Sequence, residues 1–522
     1  MIIKVSKKGV VFRNPELYAG EAKTLNLDHL LSNLYMLIAN NGAPVNFKPI
    51  KGGRGHTMES LEKKNMKSLE DTGLVSGVTE NMEGVEDWLR SNLVNMVNRG
   101  NVIKESVSAL RPLHLMSYKI QNKKHNRDYS ASDQVYLMLK TCPEVLEALK
   151  NYLNTGWDSS TNNIVFSEDL DLDTIGILML TKGIEERRKP NTEIVNIKPL
   201  LTKQTELFNE DIRRLLLYKD VLPRTVFIDY LRTLIAFHLT LYVFKLIYLL
   251  PKMKEAGKID VEDDWSLLVD VSNNLESRIA PLACRDMERV INSLNEYFHV
   301  TFEINVIQKY LRDKGADYSI ANVLETLKNN VDRSSDYFLG GISNIKSEVN
   351  DEDKEYIDVI LQFFDDDDYF GKYIHLLENT SGGSSYQYPF YLRLIDSLSM
   401  KNSESQILAD GRRSRKHPRR GSLGSKLLET LVQLLVLKRN ENGNYETRAL
   451  SIDELAQLIR DRYGLIINGS NEPRFAGADV ETHAAFKDNM EAFKNKLRQI
   501  GFYTDLSDAG TLQQIRPRYN KA

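Results

Sequence analysis

Nine histidines are the first residues to test for chemistry: His29, His56, His114, His125, His238, His299, His375, His417 and His483. A helical zinc site needs two of them one turn apart, as in H-E-x-x-H, and no two are spaced that way. Asp169, Asp171 and Asp173 alternate like the start of a calcium loop, but Thr174 stands where that loop needs glycine and Leu180 where it needs glutamate. No G-x-S-x-G elbow occurs, and neither Cys142 nor Cys284 lies in a nucleophile signature. The Gly-rich stretch 51–73 lacks the Gly-Lys-Ser/Thr ending of a phosphate loop. What remains is Arg232 and His238, six residues apart, a cation for a phosphate and an imidazole for acid–base work.

That Arg-x5-His spacing resembles the active motif of the HEPN ribonucleases, which are helical and dimeric. The resemblance implies His238 as general base or acid and Arg232 as the group that stabilises the phosphate. In that family a polar Asn, Asp or His usually follows the arginine, whereas Thr233 here opens a strongly apolar stretch. The alternative is a core histidine with a hydrogen-bonded partner. With no other catalytic pattern, the chain reads as more suited to binding than to catalysis, with no cofactor and no metal.

The binding signal is basic. RRSRKHPRR, residues 412–420, holds Arg412, Arg413, Arg415, Lys416, Arg419 and Arg420. From Asp410 to Ala522 the chain has 20 Lys+Arg against 14 Asp+Glu, a balance of +6, so the preceding 409 residues carry −9 of the net −3. A basic tail on an acidic body puts any polyanion contact at the C-terminal end. As an isolated cluster, 412–420 could equally be a solvated tether or a targeting run.

The elements after this cluster give it a setting. SKLLETLVQLLVLK (425–438) is an amphipathic helix, YETRAL is strand-like, and Ser451 with Glu454 forms a capping box before IDELAQLIRDRY, which Gly464 ends. A third helix over about 480–500 sets Phe486, Phe493, Leu497 and Ile500 on one stripe and Lys487, Lys494 and Arg498 on the next. FYTDL and TLQQIRPRY then flank a Ser-Asp-Ala-Gly turn. Helix, strand, helix, helix, hairpin is the order of a winged helix, whose third helix can enter the major groove of double-stranded DNA. Lys487, Lys494, Lys496, Arg498, Arg516 and Arg518 would meet phosphates, with the basic arm adding charge along the duplex. A winged helix is also a common protein-docking module, and that alternative stays open.

The elements upstream predict a mainly α chain: a mixed α/β N-terminal region with a mobile loop (1–84), a helical domain (85–400), a basic linker (401–424) and the winged helix (425–522). The N-terminal MIIKVSKKGVVFR reads as a hairpin, and 25–42 as a helix closed by Asn-Gly. LRTLIAFHLTLYVFKLIYLL (231–250) is long enough to span a bilayer, yet Arg232, His238 and Lys245 interrupt it, and it is expected to be a buried central helix. Two distant cysteines and no signal-peptide pattern make a reducing cytoplasm the expected location, with no membrane contact. The acidic run 351–370 reads as a solvated face or as a docking place for a basic partner, the 412–420 cluster included.

Residues 221–253, together with GSKLLETLVQLLVL, RYGLII and IRPRY in the C-terminal part, are similar to large helical proteins that end in a winged helix. Such proteins are accessory subunits in bacterial phage-defence islands, including methylation-associated and phosphorothioation-linked systems. The resemblance covers about a third of the chain. It implies a cytoplasmic protein that works beside ATPase, nuclease or methyltransferase subunits and lacks their catalytic motifs.

Overall fold

The computed structural model describes the chain except residues 1, 6–11, 48–56, 62–69, 72, 74–75, 98–105, 167–169, 185, 189–195, 411–417, 441, 504–513 and 520–522. The described chain is mainly α, as the periodicity predicts. Contacts divide it into two units, Leu25–Ala236 with Tyr519–Ala522, and Met1–Thr24 with Phe237–Arg518. This division differs from the boundaries expected at residues 84, 400 and 424.

In the unit that begins at Leu25, helix α1 spans Leu27–Ala39. Asn26 caps it by accepting from the Asp28 and His29 amides, and Asn41 and Gly42 end it at positive φ, as their types suggest. Helices α2 (Ala131–Lys140), α3 (Pro143–Leu153), α4 (Leu172–Thr181) and α5 (Thr202–Leu216) follow, with an antiparallel pair of strands, β1 (Val94–Val97) and β2 (Ser106–Leu110). The alternating acids have a structural use. Asp171 is the N-cap of α4, accepting from the Thr174 amide at 2.8 Å, and Asp173 accepts from Trp88 Nε1 at 2.7 Å. Asp169 lies outside the described residues.

A buried polar knot holds the centre of this unit. Arg224 donates to the Leu113 and Leu153 carbonyls at 2.9 and 2.8 Å, and the fully buried His114 accepts from the Met116 amide while its Nε2 meets Thr155 O at 3.1 Å. Burial, then the Arg224 charge, pushes the His114 pKa down to about 3, so the ring stays neutral with its proton on Nε2.

Helix α6, Arg224–Ala256, is 33 residues long and runs on into the second unit. Its most apolar window has a mean hydropathy of 1.8 and is 94% buried inside the protein, the behaviour of a helix that is apolar all round. The interrupting Lys245 is matched by Asp263 at 2.7 Å.

The second unit builds on α7 (Ile279–Asn292), α8 (Leu294–Asp313), α9 (Ile320–Asn329), α10 (Asp336–Glu348), α11 (Asp351–Leu361), α12 (Tyr369–Glu378) and α13 (Ser384–Leu398). It continues with α14 (Ser425–Leu435), α15 (Ile452–Tyr463) and α16 (Val480–Gln499). The N-terminal segment is threaded into it. Phe12 sits edge-on among Phe298, Phe302 and Tyr391, with centroids 5.2 to 5.8 Å away. Ile3 pairs in parallel with Thr380, and the turn expected in an N-terminal hairpin falls outside the described residues.

One four-stranded sheet joins distant parts of this unit. Strands β3 (Leu267–Asp270), β4 (Leu408–Ala409), β5 (Arg420–Ser422) and β8 (Leu465–Ile466) lie in the order β8-β3-β5-β4. The first three are parallel, and β4 runs antiparallel to β5. All four residues of β3 are buried, as befits a central parallel strand. A separate hairpin, β6 (Leu437–Arg439) with β7 (Tyr445–Thr447), stands where a single strand was expected.

Two histidines report these units by opposite pH responses. Unfolded His114 takes up a proton below 6.5 that the folded ring refuses until about 3, so stability falls as pH drops through that window. Hydrogen bonds to Glu303 and Glu378 raise His299 to about 9, so its contribution is complete below 6.5 and disappears as pH climbs to 9. In urea unfolding across pH, His114→Gln should remove one proton's worth of slope on the acid side, and His299→Gln one on the alkaline side. Unchanged slopes would contradict the assignments.

Candidate nucleic-acid interface

The cations expected to meet DNA divide into three groups. Arg412, Arg413, Arg415 and Lys416 lie outside the described residues, but both flanks of that segment are fixed. Ala409 pairs with Arg420 across β4 and β5, the strands on either side of that segment. At its base Arg419 grips Asp396 with two bonds of 2.6 and 2.8 Å, and Lys401 reaches both Asp396 and Asp410. The Asp396 carboxylate holds the Arg419 pKa above its ordinary value.

The second group is bonded within the fold: Arg420 is buried and Lys496 half-buried. Arg420 is 2% exposed, its Nε donates to Asp270 at 2.8 Å and its Nη2 to Asn273 at 2.9 Å. Asp270 is fully buried and also accepts from Ser272 Oγ and the Asn273 amide. Lys496 Nζ donates to the carbonyls of Val271 and Leu423, which follow β3 and β5. Burial lowers its pKa to about 8, opposed by Asp270. The carboxyl ends of parallel strands are where open α/β sheets commonly hold a ligand, and here the chain's own lysine occupies them.

Asn489 completes the arrangement. Its amide nitrogen donates to Val269 O and Ile467 O, and its oxygen accepts from the Val271 amide, all at 2.8 to 2.9 Å. Helix α16 is thereby fixed across β3 and β8, with Phe486 in the core beside Leu268 and Ile466. Strand β8 comes between α15 and α16 and pairs with residues nearly 200 positions upstream, so 425–522 shares its sheet with the preceding chain. The helix–strand–helix–helix order read from the sequence did not indicate that.

The third group remains outside. Lys487 is exposed two turns before Lys494. Lys494 and Arg498, one turn apart, both lie over the Tyr503 ring, at 5.7 and 5.9 Å. Arg518 lies 5.3 Å over Phe502, donating to Glu429 and to the Ile500 carbonyl at 2.7 Å. Arg516 is exposed, and its amide bonds Phe502 O at 2.8 Å, the one rung described where a wing hairpin was expected. Thus Lys494, Arg498 and Arg518 gather about two aromatic rings.

Sequence reasoning missed Arg285, Arg289 and Arg474, which line a cleft of about 490 Å³ at the start of α16. Arg474 holds the buried Asp286 at 2.5 and 2.9 Å, and Asp286 also accepts from the Leu268 amide. The four-residue spacing of Arg285 and Arg289 on α7 was the available signal.

Arg232 and His238 both lie on α6. Arg232 pairs with Asp229 and Asp28 at 2.7 and 3.3 Å, whereas His238 is fully buried with its ring edge against Phe237 and Tyr463. Six residues of helix leave the two side chains about 120° apart around the axis.

A family model matches residues 7–519, and the proteins it describes are components of a defense system. The description of that family is Methylation-associated defense system protein MAD7, and the chain belongs to it. No curated protein matches the chain.

The Asp270–Arg420 pair generates a stability prediction. Arg420→Ala leaves a buried carboxylate without its cation and should destabilise by about 3–5 kcal/mol in urea unfolding. The double change Asp270→Asn with Arg420→Met should recover much of that loss, and a single change under about 1 kcal/mol would remove the pair's structural role.

Proposed function

We propose that the chain is a non-enzymatic subunit of a multi-protein anti-phage assembly that contacts double-stranded DNA through its C-terminal cations. The observation that carries this reading is the cluster of the half-buried Lys494 with the exposed Arg498 and Arg518 on Tyr503 and Phe502, with Lys487 and Arg516 exposed beside it in sequence. Cations placed over rings keep a direction as well as a charge, which suits a row of phosphates. Arg412, Arg413, Arg415 and Lys416, carried between fixed strands, add charge that needs no defined structure to attract a polyanion. ATPase, nuclease or methyltransferase subunits would supply the chemistry, in keeping with the burial of His238.

A second reading, protein docking, has its own support in α11 and the loop after it. Val359 is 53% and Phe363 85% exposed among Asp358, Asp365, Asp366 and Asp367, an apolar and acidic surface suited to a basic partner.

Duplex binding separates the two. The full chain is the right material, because a fragment from residue 410 would lose β3, the partner of β5 and β8. Affinity should fall log-linearly with salt, and Lys494→Ala with Arg498→Ala should lower that slope by about 2. Absence of binding at low salt, or indifference to salt, overturns the DNA reading and leaves docking at Phe363.

A further inference from the structure

A cavity of about 450 Å³ in the second unit lies between the N-terminal segment and helices α8, α10 and α12. Its size falls in the range of small-molecule sites. Three tyrosines, Tyr318, Tyr337 and Tyr373, line it together with three cations, Arg13, Lys309 and Arg312. Tyr318 leaves 46% of its surface in water, so its ring is open to a ligand. Lys309 and Arg312 lie one turn apart on α8 and are exposed. Arg13 is steadied by the Ala19 carbonyl, which accepts from its Nε at 3.1 Å.

The wall is built before any ligand arrives. Asn14 Nδ2 donates to Asn305 Oδ1 at 2.9 Å and Gln308 Oε1 at 2.6 Å, and Asn305 Nδ2 returns a bond to Phe12 O at 2.9 Å. Gln308 Nε2 then donates to Glu16 Oε1 at 3.0 Å and Tyr318 O at 3.2 Å. Glu16, the one carboxylate among the lining residues, is therefore already engaged. On the far side, a Cβ at Gly341 would come within 2.7 Å of the Tyr373 ring, so only glycine lets that ring lie against α10. The amide network fixes Asn14, Asn305, Gln308, Glu16 and the Tyr318 backbone, so this part of the wall needs little ordering when a ligand binds.

We infer that this cavity binds a nucleotide unit, its base stacked on the tyrosine rings and its phosphate on Lys309 and Arg312. Aromatic faces accept any base, and the excess of cations over carboxylates selects a phosphate in preference to a neutral aromatic. The same chemistry is offered by a free nucleotide and by an unpaired base of single-stranded nucleic acid. The site is separate from the cations of α16 and does not depend on duplex binding there.

Titration of the full chain with AMP and with a short oligoadenylate, followed by calorimetry, tests the inference. Binding of AMP identifies a free nucleotide as the source, and binding of the oligomer alone identifies a single strand. Tyr318→Ala should weaken either by about five-fold to a hundred-fold, Tyr318→Phe should not, and Lys309→Glu with Arg312→Glu should abolish binding. All three positions are exposed, so unchanged thermal unfolding will show that the variants fold. Lys494→Ala with Arg498→Ala should leave nucleotide binding intact even where duplex binding is lost. Failure of both ligands to bind, affinity untouched by the Tyr318 and Lys309/Arg312 changes, or displacement by a proline-rich peptide in place of inorganic pyrophosphate would each overturn the assignment.

Discussion

The buried ion pair of Asp270 and Arg420 is the constraint on which the second unit depends. It joins strands 150 residues apart, and each strand contributes only three or four residues to the sheet. Hydrogen bonds of such short strands cannot hold a sheet unaided, because closing long loops costs more entropy than a few rungs return. The pair, the Asn489 amide and the Lys496 ammonium supply side-chain bonds in the places where the backbone ladder runs out. Charges placed there make the register specific, since any slip would strand a carboxylate or a guanidinium in the interior.

The same constraint reorganises the electrostatics. A formal balance of +6 over 410–522 suggests a basic tail, but much of it is spent inside the fold. Arg419 faces Asp396, Arg420 faces Asp270 and Arg474 faces Asp286, three carboxylates from outside that stretch. In the proposed reading a polyanion meets a smaller set of cations about Lys494 and Arg498. Charge counts along a chain measure what could reach a partner, and tertiary pairing decides what does.

The chain is also interleaved. Its first residues are embedded in the second unit, where Asn14 bonds a residue 294 positions away, while a separate unit forms from the residues between. The apolar length of α6 is matched by burial. Contacts of such high sequence separation form late in folding, so the N-terminal segment is expected to dock after the helices that receive it.

The sequence by itself determined the local features: helices and their ends, and with them the mainly α class. The Asn26 cap, the Ser451–Glu454 box and Gly464 at φ 74° occur as their residue types dictate, because capping is decided within four or five neighbours. The apolar run of α6 and its burial were equally legible, as were the stripes of α16 that put Lys494 and Arg498 outside and Phe486 and Phe493 inside. Membership in a defense-system family was visible in the same segments. Only the tertiary structure decided that β5 and β8 pair with β3, that Arg420 is a core residue while Arg516 is a surface one, and that tyrosines from two helices and a loop line one cavity with Lys309. Strands of two or three residues carry too little period to announce a partner, and an arginine's letter is the same whether a carboxylate from 150 residues away meets it or water does.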